Sequence, residues 1–476
     1  MEYITAGREP AKALRFFEEI CRIPHPSGGE EKLADYLVAF AKERNLEVLR
    51  DEVHNVVIKR PGKGKPVILQ GHTDMVSAVA PEKGVTDAIA YLAEHGVTPI
   101  LDGDWLRADG TTLGADNGVA VALMLALLDS PEIETPPLEC VFTVSEEVGL
   151  DGAKALDPSW LEGRRLINLD SESMGSLTVS CAGGCRMRLE REFKPIPYEP
   201  KFALRVDISN LKGGHSGVAI DQPHTNAIWL AGRIAGLLRI GGSLAWINGG
   251  EADNAIPRSA SALICYPNEQ LMLAAEKRFM DLLPLDVEGE PDAEVSVTRA
   301  DPEPAYGGSE DLFELIANVP RGVQSKNEEL GAVNTSLNCG VIKTEGGKVT
   351  LTFALRSSIA DEMEDLKSRV ASCAESWGFT ATAGAQYPGW AYAEVSPLRD
   401  TVCECWNEMT GGELSIHSIH GGLECGIFCD KLPGLDAVAM GPTTRGAHTP
   451  EERLYLPAYQ QTWELVTKVL GKLIEK

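Results

Sequence analysis

Short apolar runs separated by helical patterns constrain this chain more than any other feature. Residues 55–59, 67–70, 140–144 and 166–169 read as strands, and residues 118–128 between them read as a buried helix. A strand that is apolar along its whole length must be covered on both faces, and intervening helices supply that cover. The N-terminal third is therefore expected to be an α/β sheet. Ahead of it, Ser27 and Glu30 have the spacing of a capping box before a helix over 32–44, where Leu33, Tyr36, Leu37 and Phe40 recur at helical intervals.

From about Cys185 the pattern changes. Phe202, Leu204, Val206 and Ile208 alternate with Ala203, Arg205, Asp207 and Ser209, the period of a strand with one wet face. Helical patterns follow over 226–238 and 268–283, and the scheme returns with a strand over 349–355 and a helix over 361–377 closed by Gly378. This middle region is expected to be α+β, in two halves of duplicated plan. After Gly389 helix and strand alternate again, ending in an amphipathic helix over 459–474. A chain of 476 residues exceeds what one core accommodates. The expected organisation is one α/β domain built from residues 1–185 and 388–476, interrupted by a second domain over 186–387.

Charge narrows the partners. The 70 acidic residues outnumber the 44 basic ones and leave a formal charge of -26, which repels phosphate backbones and anionic membrane surfaces. No nucleic-acid or membrane partner is expected. The first residues show no basic segment followed by an apolar run, and no stretch reaches the ~18 apolar residues that span a bilayer, so a cytoplasmic location is expected. The eleven cysteines are scattered without Cys-x-x-Cys pairs and read mostly as reduced core thiols.

The residues that carry chemistry fall at strand ends. His72 and Asp74 follow the run 67–69, Glu146 and Glu147 follow 141–144, and Asp170 follows 166–169. Asp116 sits where a loop meets a helix, and His448 lies near the C-terminus. Open α/β sheets assemble their sites at the carboxyl ends of strands, so residues dispersed in sequence can converge there. Singly, each is an ordinary cap or turn residue; together they have the composition of a metal site.

At this point the motifs are distinctive. Gln70-Gly71-His72-Thr73-Asp74-Met75-Val76, Gly114-Ala115-Asp116-Asn117-Gly118, Glu146-Glu147-Val148-Gly149, Asn168-Leu169-Asp170, Gly213-Gly214-His215-Ser216-Gly217, Asn254-Ala255-Ile256-Pro257 and Gly422-Leu423-Glu424-Cys425-Gly426 run the length of the chain. In this order they resemble the zinc aminopeptidase and carboxypeptidase superfamily, within it the aminoacylhistidine dipeptidase (Xaa-His dipeptidase, cytosol nonspecific dipeptidase) branch. The resemblance implies a zinc-exopeptidase-type mixed sheet sandwiched by helices, with an inserted α+β lid or dimerisation domain. It implies two zinc ions per subunit, one held by His72, Asp116 and Asp170 and the other by Asp116, Glu147 and His448, with Asp74 behind the His72 ring. It makes Glu146 the general base and His215 the donor to the developing oxyanion, and it implies a homodimer. The expected activity is hydrolysis of unblocked dipeptides, Xaa-His or broader.

Substrate contacts are expected at Asn254, Arg356, Glu424 and His420. Arg356, placed on the wet side of its strand, can take a free carboxylate in a bidentate contact, and Arg356-Ser357-Ser358 matches the family's motif. Glu424 either holds the substrate's free amino group or is paired inside the fold. The same oxygen and nitrogen donors accept cobalt or manganese in place of zinc. After Asp74-Met75-Val76 the branch carries Cys-x-Lys-Asn, whereas this chain continues Ser77-Ala78-Val79-Ala80-Pro81-Glu82. Tripeptides and N-acyl amino acids therefore stay open as alternative substrates. The glycine- and lysine-rich residues 61–66 lack P-loop spacing and read as a hairpin turn.

Overall fold

The computed structural model describes residues 3–281, 287 and 289–475. The chain forms two compact units: Met1–Ser180 with Tyr392–Ser418 and Leu423–Lys476, and Cys181–Ala391 with Ile419–Gly422.

The first unit is built on an eight-stranded sheet in the order Glu47–Arg50, Val56–Arg60, Leu138–Thr143, Val67–His72, Arg165–Asn168, Asp436–Ala439, Ser176–Cys181 and Ser415–Ile419. Val67–His72 runs parallel to both Leu138–Thr143 and Arg165–Asn168, and Asp436–Ala439 is parallel to Arg165–Asn168. Every residue of Val67–His72 and Leu138–Thr143 is buried, which is why their sequence shows no alternation. Helix Ala115–Leu128 crosses over between these two strands, and all of it except Asp116 is buried. Gly71 permits the close approach of strand and helix: a Cβ there would collide with Asn117 Oδ1 and lie 2.7 Å from the Ala120 Cβ.

Two local expectations fail here. Residues 61–66 are not a hairpin turn, because Leu138–Thr143 lies between the strands they join and pairs with both. Two apolar runs adjacent in sequence do not reveal that a third strand takes the place between them. The helix after Ser27 spans Glu31–Glu43 with no side-chain cap. Ser27 Oγ instead donates to Asp74 Oδ2 at 2.8 Å, and Glu30 Oε1 accepts the Ser145 amide at 3.0 Å. The two capping residues are drawn into tertiary bonds at the strand ends.

The second unit holds an eleven-stranded sheet whose main path runs Glu294–Ala300, Phe202–Ser209, Ala260–Tyr266, Ser243–Gly249, Ala332–Glu345, Lys348–Ser357, Gly183–Glu192 and Thr380–Tyr387. The two four-strand portions meet where Gly249 faces Ile342. Helices Ala227–Leu238 and Ala360–Ser376 pack on this sheet in one apolar core. Helix Ala227–Leu238 begins as its sequence requires, with the Asn226 side chain accepting the Trp229 amide. The expected helix over 268–283 spans Glu269–Met280, and its last two positions lie outside the described residues. The wet face of Phe202–Ser209 is only partly wet, since Ala203 packs with Ala245, Leu263, Cys265 and Ala305. Arg356 shares the half-buried face of Thr350, Thr352 and Ala354, opposite the core residues Val349, Leu351, Phe353 and Leu355, yet it is only 8% exposed, because His215 and Gly217 pack against its guanidinium.

Among the described residues no helix is long and apolar enough to cross a membrane.

Candidate metal centre

The carboxyl ends of the parallel strands carry the acidic and imidazole groups. His72 closes Val67–His72, Glu146 and Glu147 follow Leu138–Thr143, and Asp170 follows Arg165–Asn168. Asp116 stands in the first turn of helix Ala115–Leu128 with non-helical torsions (φ -85°, ψ 102°), and the Asp116–Asn117 peptide is cis. Ser145 (φ 53°) and His448 (φ 65°) take left-handed backbone conformations, uncommon without glycine and often found where a site over-determines the chain.

Asp116 lies at the middle of the cluster. Its Oδ1 is 3.1 Å from His72 Nε2 and its Oδ2 is 3.2 Å from His448 Nε2. Asp170 Oδ1 is 3.6 Å from the same His72 nitrogen, and Glu147 Oε1 is 2.7 Å from His448 Nε2. His72 with Asp116 and Asp170 forms one group of donors whose atoms lie within 4.8 Å of one another, and Asp116 with Glu147 and His448 forms a second. A third group, His72 with Glu146 and Glu147, has the same closeness. Asp74 lies on the other side of the His72 ring, with Oδ1 3.3 Å from Nδ1. Its carboxylate also accepts the amides of Glu146 and Glu147, at 3.0 and 3.3 Å.

The electrostatics are those of anions packed with too few cations. Burial pushes Asp170 up to about 6 and Glu146 well above the ordinary carboxylate range, with neighbouring acids adding to both. The hydrogen bond to Asp116 and the adjacent Glu147 carboxylate raise His448 to about 11. For Asp74, burial pushes upward, but the His72 ring and the Glu146 amide outweigh it and hold the carboxyl low. Glu147 Oε1 is buried and outside hydrogen-bonding alignment with any donor, although an imidazole nitrogen is 2.7 Å away. A carboxylate oxygen and an imidazole nitrogen this close are donors that one cation beside them would engage together.

Several residues that the sequence did not single out brace the cluster. Asn117 Oδ1 accepts the His72 amide while its Nδ2 donates to the Leu169 carbonyl, joining two strand ends. Glu452, 2% exposed, accepts the amides of Leu113, Gly114 and Asp116. Burial raises its carboxyl to about 7 against those three donors. No local spacing reveals these roles, because each depends on backbone groups distant in sequence. Glu424 is fully buried: its Oε2 accepts from Gln70 Nε2 at 2.5 Å and Thr143 Oγ1 at 2.7 Å, and Gln70 Oε1 accepts from Asn168 Nδ2.

The remaining expected contacts lie in the second unit. The strand pair Gly214–His215 and Ala255–Ile256 sets exposed Asn254 beside Ser216, whose amide donates to the Asn254 carbonyl. His215 Nδ1 faces the amides of Gly217 and Val218, which leaves the ring proton on Nε2. That nitrogen is 3.3 Å from Arg356 Nη2, so two donors face each other, and Arg356 Nε is buried without a partner. Burial, with Arg356 second, lowers His215 and lowers His420 to about 4. His420 Nε2 pairs with Ser336 Oγ at 2.7 Å. An uncompensated arginine between neutral imidazoles is suited to an anion.

The sequence relations agree with this chemistry. The model of peptidase family M20/M25/M40 matches residues 68–472. The cytosol non-specific dipeptidase of Escherichia coli (strain K12) is 35% identical over 489 residues, 98% of this chain and 98% of that protein. The solved structure of an aminoacylhistidine dipeptidase from Vibrio alginolyticus shares the fold with a TM-score of 0.87 at 32% identity, over 98% of this chain and 97% of that one. Aminopeptidase PepT from Bacillus cereus, at 17% identity and TM-score 0.57 over 98% of this chain and 100% of its own, shares the fold. The chain belongs to peptidase family M20/M25/M40 and is a metallopeptidase.

Proposed function

We propose that this protein is a two-zinc dipeptidase that hydrolyses the peptide bond of unblocked dipeptides, Xaa-His among them. The observation that carries the reading is the sharing of Asp116: one oxygen faces His72 and the other faces His448, so two three-residue donor groups have one carboxylate in common. The names of the Escherichia coli and Vibrio alginolyticus relatives support the substrate class.

His72, Asp116 and Asp170 would hold one ion, and Asp116, Glu147 and His448 would hold the other; cobalt or manganese suits the same donors. Zinc bound there would supply an acidified water and a Lewis acid for the substrate carbonyl. Asp74 fixes the His72 ring so that Nε2 faces the site, the usual part of a carboxylate behind a ligating imidazole. Glu146, whose proton affinity burial has raised, takes the water proton and returns it to the leaving amine. Each turnover releases two amino acids. His215 Nε2–H stabilises the carbonyl oxygen as it gains charge, and Arg356 takes the free carboxylate of the substrate. Asn254 and His420 are assigned to the substrate's backbone groups. Full burial of Glu424 favours pairing inside the fold over a contact with the substrate amine. Residues 186–387 act as the lid, and a homodimer and a cytoplasmic location complete the reading, the last supported by the name of the Escherichia coli relative.

The test is amino-acid release from a dipeptide panel by zinc-loaded protein, beside a tripeptide, an N-acyl amino acid and the Glu146→Ala variant. Cleavage of free dipeptides that disappears in the variant is the expected result. Cleavage of only the acylated substrate would make the protein a deacylase, and cleavage of only the tripeptide a short-peptide aminopeptidase.

A further inference from the structure

Glu452 follows His448 by four residues, yet its hydrogen bonds go to the distant loop that carries Asp116. Oε2 accepts from Leu113 N at 2.7 Å and Gly114 N at 2.9 Å, and Oε1 accepts from Asp116 N at 3.1 Å. Gly114, at φ +70°, turns the chain so that these amides converge on one point. The amides of Gly114 and Asp116 are among the donors that a helix start leaves unpaired, and that of Leu113 directly precedes them. A carboxylate suits them because it has two acceptor oxygens and no donor; a carboxamide would set an NH2 group against one of the amides.

We propose that Glu452 is a positioning residue of the metal centre: by fixing the Asp116 backbone from the His448 segment, it keeps both oxygens of Asp116 presented to the two imidazoles. The inference rests on the two-metal reading. A role confined to stability is separable, because the same unit contains a matched carboxylate elsewhere. Glu139, 3% exposed, accepts the amides of Glu162 and Gly163 at 2.9–3.1 Å. It stands at the opposite end of strand Leu138–Thr143 from Glu146 and Glu147.

The experiment compares wild type, Glu452→Gln and Glu139→Gln by zinc competition with a chromogenic chelator and by urea unfolding of the metal-free proteins. Both variants are expected to lose stability. Only Glu452→Gln is expected to lose zinc affinity, by about 10–100-fold, the usual effect of removing a group that orients a ligand. At saturating zinc its KM for a dipeptide is expected to match wild type. If Glu452→Gln fails to fold, Glu452→Asp, which withdraws the same two acceptors by one methylene, is expected to show the same affinity loss. Unchanged zinc affinity in the Glu452 variants, or an equal loss in Glu139→Gln, would overturn the proposal. A wild type that binds fewer than two ions would instead overturn the two-metal reading beneath it.

Discussion

At the metal centre, Glu146 and Glu147 are consecutive but differently placed. Glu147 Oε1 faces His448 Nε2, whereas Glu146 sits among His72, Asp170 and Glu424 and keeps a raised proton affinity. Exchange of Glu146 for glutamine keeps the size and removes the base. We predict a fall in kcat of about 10²–10⁴-fold, the range for losing a general base, with zinc content unchanged by metal analysis. A loss of zinc in that variant would make Glu146 a ligand and not the base. The proposed ligands His72, Asp116, Glu147 and Asp170 stood out in sequence because each follows a strand or opens a helix within a distinctive motif, whereas His448 had only its place near the C-terminus and the family resemblance. Glu452 and Asn117 were not read as bracing residues, since their partners are backbone amides and carbonyls up to 339 residues away. Arg356 was read in sequence as a candidate anion contact, but its burial comes from His215 and Gly217, about 140 residues away in sequence, which a single strand's alternation does not show.

Strand Val67–His72 and helix Ala115–Leu128 carry the first imidazole and the shared carboxylate, and their spacing depends on Gly71. Glycine is required there by proximity, since any side chain would press on Asn117 and Ala120. Gly71→Ala is predicted to cost about 1–3 kcal/mol, the range for overpacking a core, measured by urea unfolding. It is also predicted to weaken zinc binding, because Asn117 moves with Asp116 and holds the His72 amide. Stability and affinity equal to wild type would show that helix and strand separate without consequence. At this scale the apolar strands and the buried helix were visible because length and hydrophobicity suffice to mark them. The placement of Leu138–Thr143 between Val56–Arg60 and Val67–His72 was not, because strand order depends on long-range pairing. The capping-box spacing of Ser27 and Glu30 misled for a related reason: the stronger partners were Asp74 and Ser145, outside the helix.

The molecule divides its charge chemistry between two units, one rich in carboxylates at its strand ends and one holding Arg356 with His215 and His420. This gives each unit its own response to pH. His420 is lowered to about 4, so between that value and the ordinary 6.5 the unfolded chain binds a proton that the folded one does not. Its contribution is present above about pH 6.5 and is lost as pH falls toward 4, by at most about 3 kcal/mol at 1.36 kcal/mol per pH unit. Urea midpoints measured from pH 7 to pH 4 are predicted to fall less steeply in His420→Gln than in wild type; equal slopes would contradict this. In the two-zinc reading the ions would act on the other unit, where binding would add stability by mass action, about 2.7 kcal/mol at a free concentration 100 times the dissociation constant. The most direct measurement is a titration of metal-free protein with zinc, following bound metal and hydrolysis of an unblocked dipeptide together. Activity that is absent without metal and reaches its plateau at two equivalents is the predicted result. A plateau at one equivalent, or metal binding without dipeptide hydrolysis, would contradict the two-zinc dipeptidase.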